Sequence, residues 1–341
     1  MALPPLVVRR AVLAPLMLAF EAALVLVSPV LALLAALGCI ATRDLRPLRV
    51  LAIAVGGAVR HAACTLACLG LWLRSGFGRH ADTPRMQHAH YALLRWFIAG
   101  VYRSVQRYAR VTVAVRESAA AETVLSAVDR PVVVLSRHAG EGDTLLVLHQ
   151  LLCGHGRQPR IVLHEALRFD PVIDVFGTRL PNRFVDPRGG DTEVEIAAMA
   201  SDASDDTAVL IFPECGNFSA ERRARGIERL EEAGHDEEAG WAREMTHVSA
   251  PRPGGALAAL EAAPHADVVF FGYVGVPFGV RELWHSLAAP QTIEVRLWHA
   301  SAADVPADRD AQIDWLFGWW RTLDAWVAAR APSPPETQPT S

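Results

Sequence analysis

The sequence predicts an α/β fold: a mixed, mainly parallel sheet covered by helices and preceded by an apolar helical segment associated with a membrane. Three observations carry this expectation. The N-terminus is a long apolar run, and from Val111 onward short β-branched runs alternate with helical windows. The composition, 51% hydrophobic and 21% charged over 341 residues, suits a full α/β domain with an accessory segment and is too apolar for a disordered chain.

Ala11 to Ala41 reads AVLAPLMLAFEAALVLVSPVLALLAALGCIA and carries one charge, Glu21. It exceeds the ~20 residues needed to cross a bilayer and lacks the polar stripe of a soluble helix. A cleaved leader has a shorter apolar core and a small-residue cleavage site, whereas this run leads into another, so it reads as a retained anchor. The second stretch, Val50 to Leu73, carries Arg60 and His61 near its middle. A charge at the bilayer centre costs about 2.5–3.5 kcal/mol, so this stretch is expected at the interface or turned back. Pro29 is a candidate break that would make the first stretch a re-entrant hairpin. Arg9 and Arg10 before it, and Arg43, Arg46 and Arg49 after it, fit entry and exit on one cytoplasmic side of the cell membrane. A single span is the alternative.

Residues 1–75 therefore form the anchor, 76–330 the α/β domain and 331–341 a Pro-rich, disordered tail. After a polar linker, Arg74 to Arg85, the segment Tyr91 to Tyr108 has helical apolar spacing and Val111 to Val115 reads as a strand. Further strands are expected at Pro131 to Ser136, Ile161 to Leu163, Ala208 to Phe212 and Val268 to Phe271. Helical windows at Asp143 to Leu152, Thr192 to Ala200 and Glu221 to Glu232 separate them. Thr292 to Trp298 adds a late strand, and Asp308 to Ala329 a final Trp-rich helix.

The formal net charge of −4 argues against a nucleic-acid partner, which needs a concentrated basic surface. All 33 basic side chains are Arg, a uniformity that reflects codon composition more than selection at each site. Five cysteines without a CxxC pair make neither a disulfide framework nor a structural zinc site, and no metal is expected. The chain has no GxSxG, HExxH or P-loop lysine motif, and Gly154-His155-Gly156 lacks the third glycine of a dinucleotide motif.

Two polar motifs follow buried strands. The first, SRHAGEGD from Ser136 to Asp143, passes through Gly140 and Gly142 into a helix. Its bend allows Asp143 to return to one nitrogen of His138, fixing the tautomer and leaving the other nitrogen to accept a proton. The alternative makes Asp143 a helix N-cap and His138 a loop residue. A second His-x4-Asp, His299 to Asp304, ends an edge-like strand, whereas ligands in open α/β sheets sit at strand C-termini. The other motif is IFPECGNFS, Ile211 to Ser219, in which Glu214 either contacts a headgroup or caps the next helix.

In this order the motifs resemble the glycerolipid acyltransferases that acylate lysophosphatidic acid and related lysolipids. His138 and Asp143 match the family's His-x4-Asp, and Phe212, Pro213 and Glu214 match its Phe-Pro-Glu-Gly. The family's arginine motif is met by Arg183 in GTRLPNR, or by Arg188 in an alignment one residue longer; Val276-Pro277 is a loose match to a fourth motif. The resemblance, over roughly residues 85 to 300, implies transfer of an acyl group from acyl-CoA to a lysophospholipid hydroxyl. It implies His138 as general base, Asp143 as its orienter, Arg183, Arg188 and Glu214 as acceptor-binding residues, and membrane lipids as partners. The donor is acyl-CoA as co-substrate or an acyl carrier protein, with no resident cofactor. Backbone N–H groups near Gly140 and Gly142 are candidates for holding the developing oxyanion.

One departure bears on the acceptor. Where the family reads Phe-Pro-Glu-Gly-Thr-Arg, this chain has Phe-Pro-Glu-Cys-Gly-Asn, leaving Asn217 in place of the phosphate-contacting Arg. Arg222, Arg223 and Arg225 either replace that charge or form a solvated helix face with Glu221 and Glu228. Arg252 either neighbours a phosphate or sits in a rigid turn. An acceptor without a phosphate monoester, or a catalytically silent lipid-binding protein, are the alternative functions.

Overall fold

The computed structural model describes residues 3–140, 142–185, 192–275 and 284–330. Arg188, Val276-Pro277 and the Pro-rich tail lie outside them.

The chain begins with helix α1 (Leu6–Thr42), which contains a π-helical turn at Arg9–Leu13. Pro29 lies inside this helix without ending it, so the hairpin expected there is absent. Reversal comes instead at Arg43, whose left-handed backbone (φ 51°) caps α1 by bonding the Cys39 carbonyl. Helix α2 (Arg46–Arg74) then packs back on α1. Both are long and apolar enough to cross a membrane.

The two helices differ in what they bury. α1 leaves Leu16, Phe20, Leu26 and Leu33 exposed, whereas α2 packs Cys64 and Cys68 against Tyr91, Leu94 and Ile98 of α3 (Pro84–Tyr108). The mid-helix charges of α2 face protein partners. Arg60 lies 4.8 Å over the Trp96 ring, in space kept open by Gly100. His61 sits 2.5 Å from Glu21 of α1 and 3.3 Å from Asp170. Pairing thus offsets the cost of charge in an apolar hairpin.

Beyond the hairpin, β1 (Val111–Glu117), α4 (Ala119–Ala127) and β2 (Val132–Ser136) lead to α5 (Asp143–His149), extended by a π turn to Gly154. β3 (Gln158–His164), a 3-10 turn at Glu165–Phe169, α6 (Pro171–Arg179) and β4 (Arg183–Val185) come next. α7 (Thr192–Ser201), β5 (Thr207–Ile211), α8 (Ala220–Glu232), α9 (Asp236–Glu244) and α10 (Pro253–Ala262) precede β6 (Asp267–Val274), β7 (Gln291–Ala300) and α11 (Arg309–Ala328).

These strands form one sheet in the order β1-β7-β6-β2-β5-β3-β4. The five from β6 to β4 are parallel; β7 runs antiparallel to β6, with β1 parallel to β7. The sheet is therefore mixed and mainly parallel, with helices on both faces.

Strand β2 is wholly buried because its period-2 alternation feeds two cores. Val133 and Leu135 join Ile196, Leu257, Phe317 and Trp320 on one face. Val132 and Val134 join Ala121, Leu125, Leu146 and Val147 on the other.

At the N-terminal edge of the parallel strands, fully buried Arg157 acts as a backbone clamp. Its guanidinium donates to the carbonyls of Val124 (2.5 Å), Leu125 (2.8 Å), Arg130 (2.7 Å) and Asp205 (2.6 Å), joining α4 to the approaches of β2 and β5. Lysine carries the charge without the planar fork. Arg157→Lys is expected to cost about 3 kcal/mol through lost charged hydrogen bonds, measured by chemical denaturation in detergent.

Candidate active site

Three adjacent strand ends build the site. β2 is flanked by β6 and β5, and all three point their C-termini the same way. β2 ends at Ser136, opposite Phe271, so β6 runs on past it and presents Tyr273 to the loop that carries His138. On the other flank, β5 ends at Ile211 and leads to Phe212 and Glu214. The placement follows the rule for open α/β sheets, whose ligands sit beyond the strand C-termini.

The His138 imidazole and the Asp143 carboxylate meet at 2.8 Å between Nδ1 and Oδ2. Asp143 is 1% exposed by side chain and His138 24%, so the carboxylate is sealed while the ring reaches the cavity. Oδ2 also accepts the backbone N–H groups of Ala139 (3.0 Å) and Gly140 (3.2 Å) and contacts the Tyr273 hydroxyl at 2.7 Å. Oδ1 accepts the Thr144 N–H at 2.6 Å. The carboxylate thus folds back on its own loop, and the N-cap position of α5 is Gly142, with no side-chain cap.

Nδ1 is the donor toward a carboxylate, so Nε2 is the nitrogen left to accept a proton. Burial alone pushes Asp143 upward, but the bond and charge of His138, with the bonds from Tyr273 and Gly140, hold it below the ordinary carboxylate range. The Tyr273 hydroxyl lies within 2.9 Å of the Arg137 carbonyl as well as reaching Asp143. Its single proton favours the shorter contact to the charged oxygen.

Glu214 fixes the backbone of the same loop. Oε1 accepts the His138 N–H at 3.0 Å and Oε2 the Ser249 N–H at 2.9 Å, while Phe218 N–H donates to the His138 carbonyl at 2.8 Å. The Phe212 ring lies 4.7 Å from the His138 ring. Burial pushes Glu214 up to about 7, against the opposing charge of Arg137. Arg137 is itself buried, donating to the carbonyls of Tyr273 (2.8 Å) and His247 (3.0 Å). Glu214 therefore sits beneath the loop as a brace, a role different from both the headgroup contact and the helix cap expected of it; Ser219 caps α8.

His138 opens on a cavity of about 580 Å³ beyond β3 and β5. Ile161, Leu163, Leu210 and Phe212 make part of its wall apolar, while Asn217, Arg222 and Arg252 also line it. Gly216 has a positive-φ backbone (153°) that side chains rarely adopt, and a Cβ there would also displace the Arg222 guanidinium. Cys215 holds a left-handed backbone (φ 55°) at the position where the resembled family has glycine, the residue that adopts this conformation most readily.

The other arginines are placed elsewhere. Arg183 pairs with Glu195 at 3.0 Å and is not among the residues lining the cavity. Arg223 donates to the carbonyls of Met245 and Arg243, and Arg225 lies 4.0 Å from Glu221. Arg188 lies outside the described residues. The Gly140 N–H is taken by Asp143, which removes it as an oxyanion donor, while Gly142 stands exposed at the start of α5. In the second His-x4-Asp, His299 sits 3.4 Å from Asp267 and Asp304 closes a capping box with Ser301, at the opposite end of the sheet. Among the described residues, no group of three or more His, Cys, Asp or Glu side chains converges as a metal site.

No protein-family model matches this chain, and no curated protein matches it.

Sequence reasoning missed Tyr273, Arg137 and Ser249. The signal for Tyr273 was a lone hydroxyl in the apolar strand VVFFGYV, which burial obliges to find a partner. A carboxamide at position 214 offers one oxygen to two N–H donors, so Glu214→Gln is expected to cost about 1–3 kcal/mol. The raised Glu214 makes the folded state hold a proton that the unfolded state loses near 4.5, so its contribution declines as pH rises from there through about 7. Denaturation of both proteins across that range should show this decline in the native chain and not in the variant.

Proposed function

We propose that this protein is a membrane-associated acyltransferase that moves a fatty acyl group from acyl-CoA to the hydroxyl of a lysophospholipid. The observation that carries the reading is the His138–Asp143 pair at 2.8 Å, buried on its carboxylate side and open on its imidazole side to a partly apolar cavity with two arginines. Its resemblance to the glycerolipid acyltransferases rests on the same residues.

In this mechanism Nε2 of His138 takes the acceptor's hydroxyl proton as the oxygen attacks the thioester carbonyl. Asp143 stabilises the imidazolium that forms. Collapse of the tetrahedral intermediate breaks the carbon–sulfur bond, and the departing thiolate takes the proton from the imidazolium, regenerating neutral His138. In this proposal the activated acceptor oxygen attacks the thioester directly, so no acyl-enzyme is needed.

Arg222 and Arg252 line the same cavity as Asn217, so charge for a phosphate-bearing acceptor is offered although position 217 is neutral. This supports the lysophosphatidic type of acceptor over one without a phosphate monoester. The exposed apolar surface of α1 supports membrane association, which brings the cavity to a bilayer holding both acceptor and product.

The test is thiol release from oleoyl-CoA by the purified protein in mixed micelles, with and without a panel of lysolipids. Release is expected to need an acceptor, and His138→Ala to lower turnover by about 10²–10⁴-fold. Tyr273→Phe removes one hydrogen bond to a charged group, worth about 1.5–3 kcal/mol, and should lower kcat by about 10–100-fold with little change in KM. Arg222→Ala and Arg252→Ala should raise KM for phosphate-bearing acceptors alone. Release unaffected by His138→Ala would overturn the proposal; no acceptor-dependent release across the panel would favour the silent lipid-binding protein.

A further inference from the structure

A second cavity, of about 470 Å³, lies where the N-terminal end of α1 and the C-terminal end of α2 meet α6. Among the described residues it shares no lining residue with the His138 cavity. The 3-10 turn Glu165–Phe169 stands between them, Leu167 facing the first and Arg168 and Phe169 the second.

One side of this cavity is apolar, made by Ala14 and Leu18 of α1 and Leu66, Leu69 and Trp72 of α2. The other side gathers Arg9, Arg10, Arg168 and Arg179 around Asp174, the single lining carboxylate among the described residues. That carboxylate is already committed. Arg9 takes Oδ1 through Nε (3.2 Å) and Nη2 (3.0 Å), and Arg10 reaches Oδ2 at 3.4 Å. Arg9 is thereby neutralised in a buried pair that docks α1 on the domain.

The remaining positive charge has no comparable partner. Arg168 stacks 4.3 Å over the Phe184 ring, and its buried Nε has no hydrogen-bond partner among the described residues. Burial and the like charge of Arg10 hold Arg179 below the ordinary guanidinium range against the opposing charge of Asp82, and no carboxylate pairs with it within 4 Å among the described residues. The buried hydroxyl of Thr65, also on the cavity wall, has no hydrogen-bond partner among the described residues either. Buried donors and cations without partners are costly, so a site carrying several calls for an occupant with acceptor oxygens and negative charge.

We propose that this cavity binds an anionic phospholipid of the bilayer, its phosphate among Arg10, Arg168 and Arg179 and one acyl chain along the seam between α1 and α2. Each half of the lipid answers one half of the cavity. Leu6 and Val7 of α1 and Leu66 and Leu69 of α2 line the cavity and are themselves exposed, which gives a chain a path from the bilayer. The volume falls within the range of about 300–1,000 Å³ usual for ligand sites. This lipid is distinct from the acceptor, and the inference rests on the membrane association proposed above, not on the acyltransferase reading.

The test uses the full-length protein in neutral detergent, with native mass spectrometry and thermal unfolding as readouts. Dioleoyl phosphatidylglycerol, dioleoyl phosphatidylcholine and inorganic phosphate are the probes. Phosphatidylglycerol is expected to bind one per chain and to raise Tm, at least tenfold more tightly than phosphatidylcholine, with no comparable effect of phosphate. Binding should weaken at least tenfold in the double variant Arg168→Ala with Arg179→Ala and persist in Arg130→Ala, a surface control. Ala14→Phe, which fills the apolar half and leaves every arginine in place, should weaken it too; this keeps the test intact if the double variant does not fold. Equal binding of the two lipids, unchanged binding in Ala14→Phe, or equal protection by free phosphate would overturn the proposal. Thiol release measured on the same samples separates the two readings: lipid binding without transferase activity leaves this site standing alone, and activity without lipid binding removes it alone.

Discussion

A buried carboxylate must be satisfied completely or it unfolds its surroundings, and Asp143 imposes that demand on the centre of this protein. Its partners come from three sources: the imidazole of His138, the N–H groups of Ala139, Gly140 and Thr144, and the hydroxyl of Tyr273 on the neighbouring strand. One side chain thereby sets the curvature of the loop after β2, the tautomer of the imidazole and the register at which β6 must outrun β2. Removing any one donor leaves the carboxylate short in a place where water does not replace it.

A second buried acid works from beneath. Glu214 holds the His138 and Ser249 N–H groups, while Arg137 holds the carbonyls on the far side through Tyr273 and His247. Burial raises Glu214 to about 7 even with a guanidinium nearby, so desolvation exceeds attraction there. His138 is held through both its backbone and its ring, which is what a proton-transfer group needs if it is to be preorganised.

The hairpin obeys the same rule in an apolar setting. Glu21, His61 and Asp170 form a chain that ties α1 through α2 to the first residue before α6, and Arg9 with Asp174 ties the start of α1 to α6 itself. Charges that count against insertion when read singly are docking contacts when read in pairs. Because α2 spends one face on α3, α1 is the helix with the broadest unpaired apolar surface.

Local pattern alone determined much of the fold. The apolar strands β2, β5 and β6 announce themselves because strands buried on both faces are continuous runs of β-branched and aromatic residues, and the pairing of His138 with Asp143 was legible because two glycines permit a short return. Other features required the tertiary structure. β4 has only three residues, too few for a periodic signal, and Pro29 inside α1 is indistinguishable in sequence from a break. Tyr273, the brace role of Glu214, the diversion of Arg183 to Glu195 and the emergence of Arg222 and Arg252 in the cavity all depend on which strands become neighbours. An arginine's sequence position records its charge, but only packing decides whether that charge clamps backbone, pairs with an acid or faces a ligand.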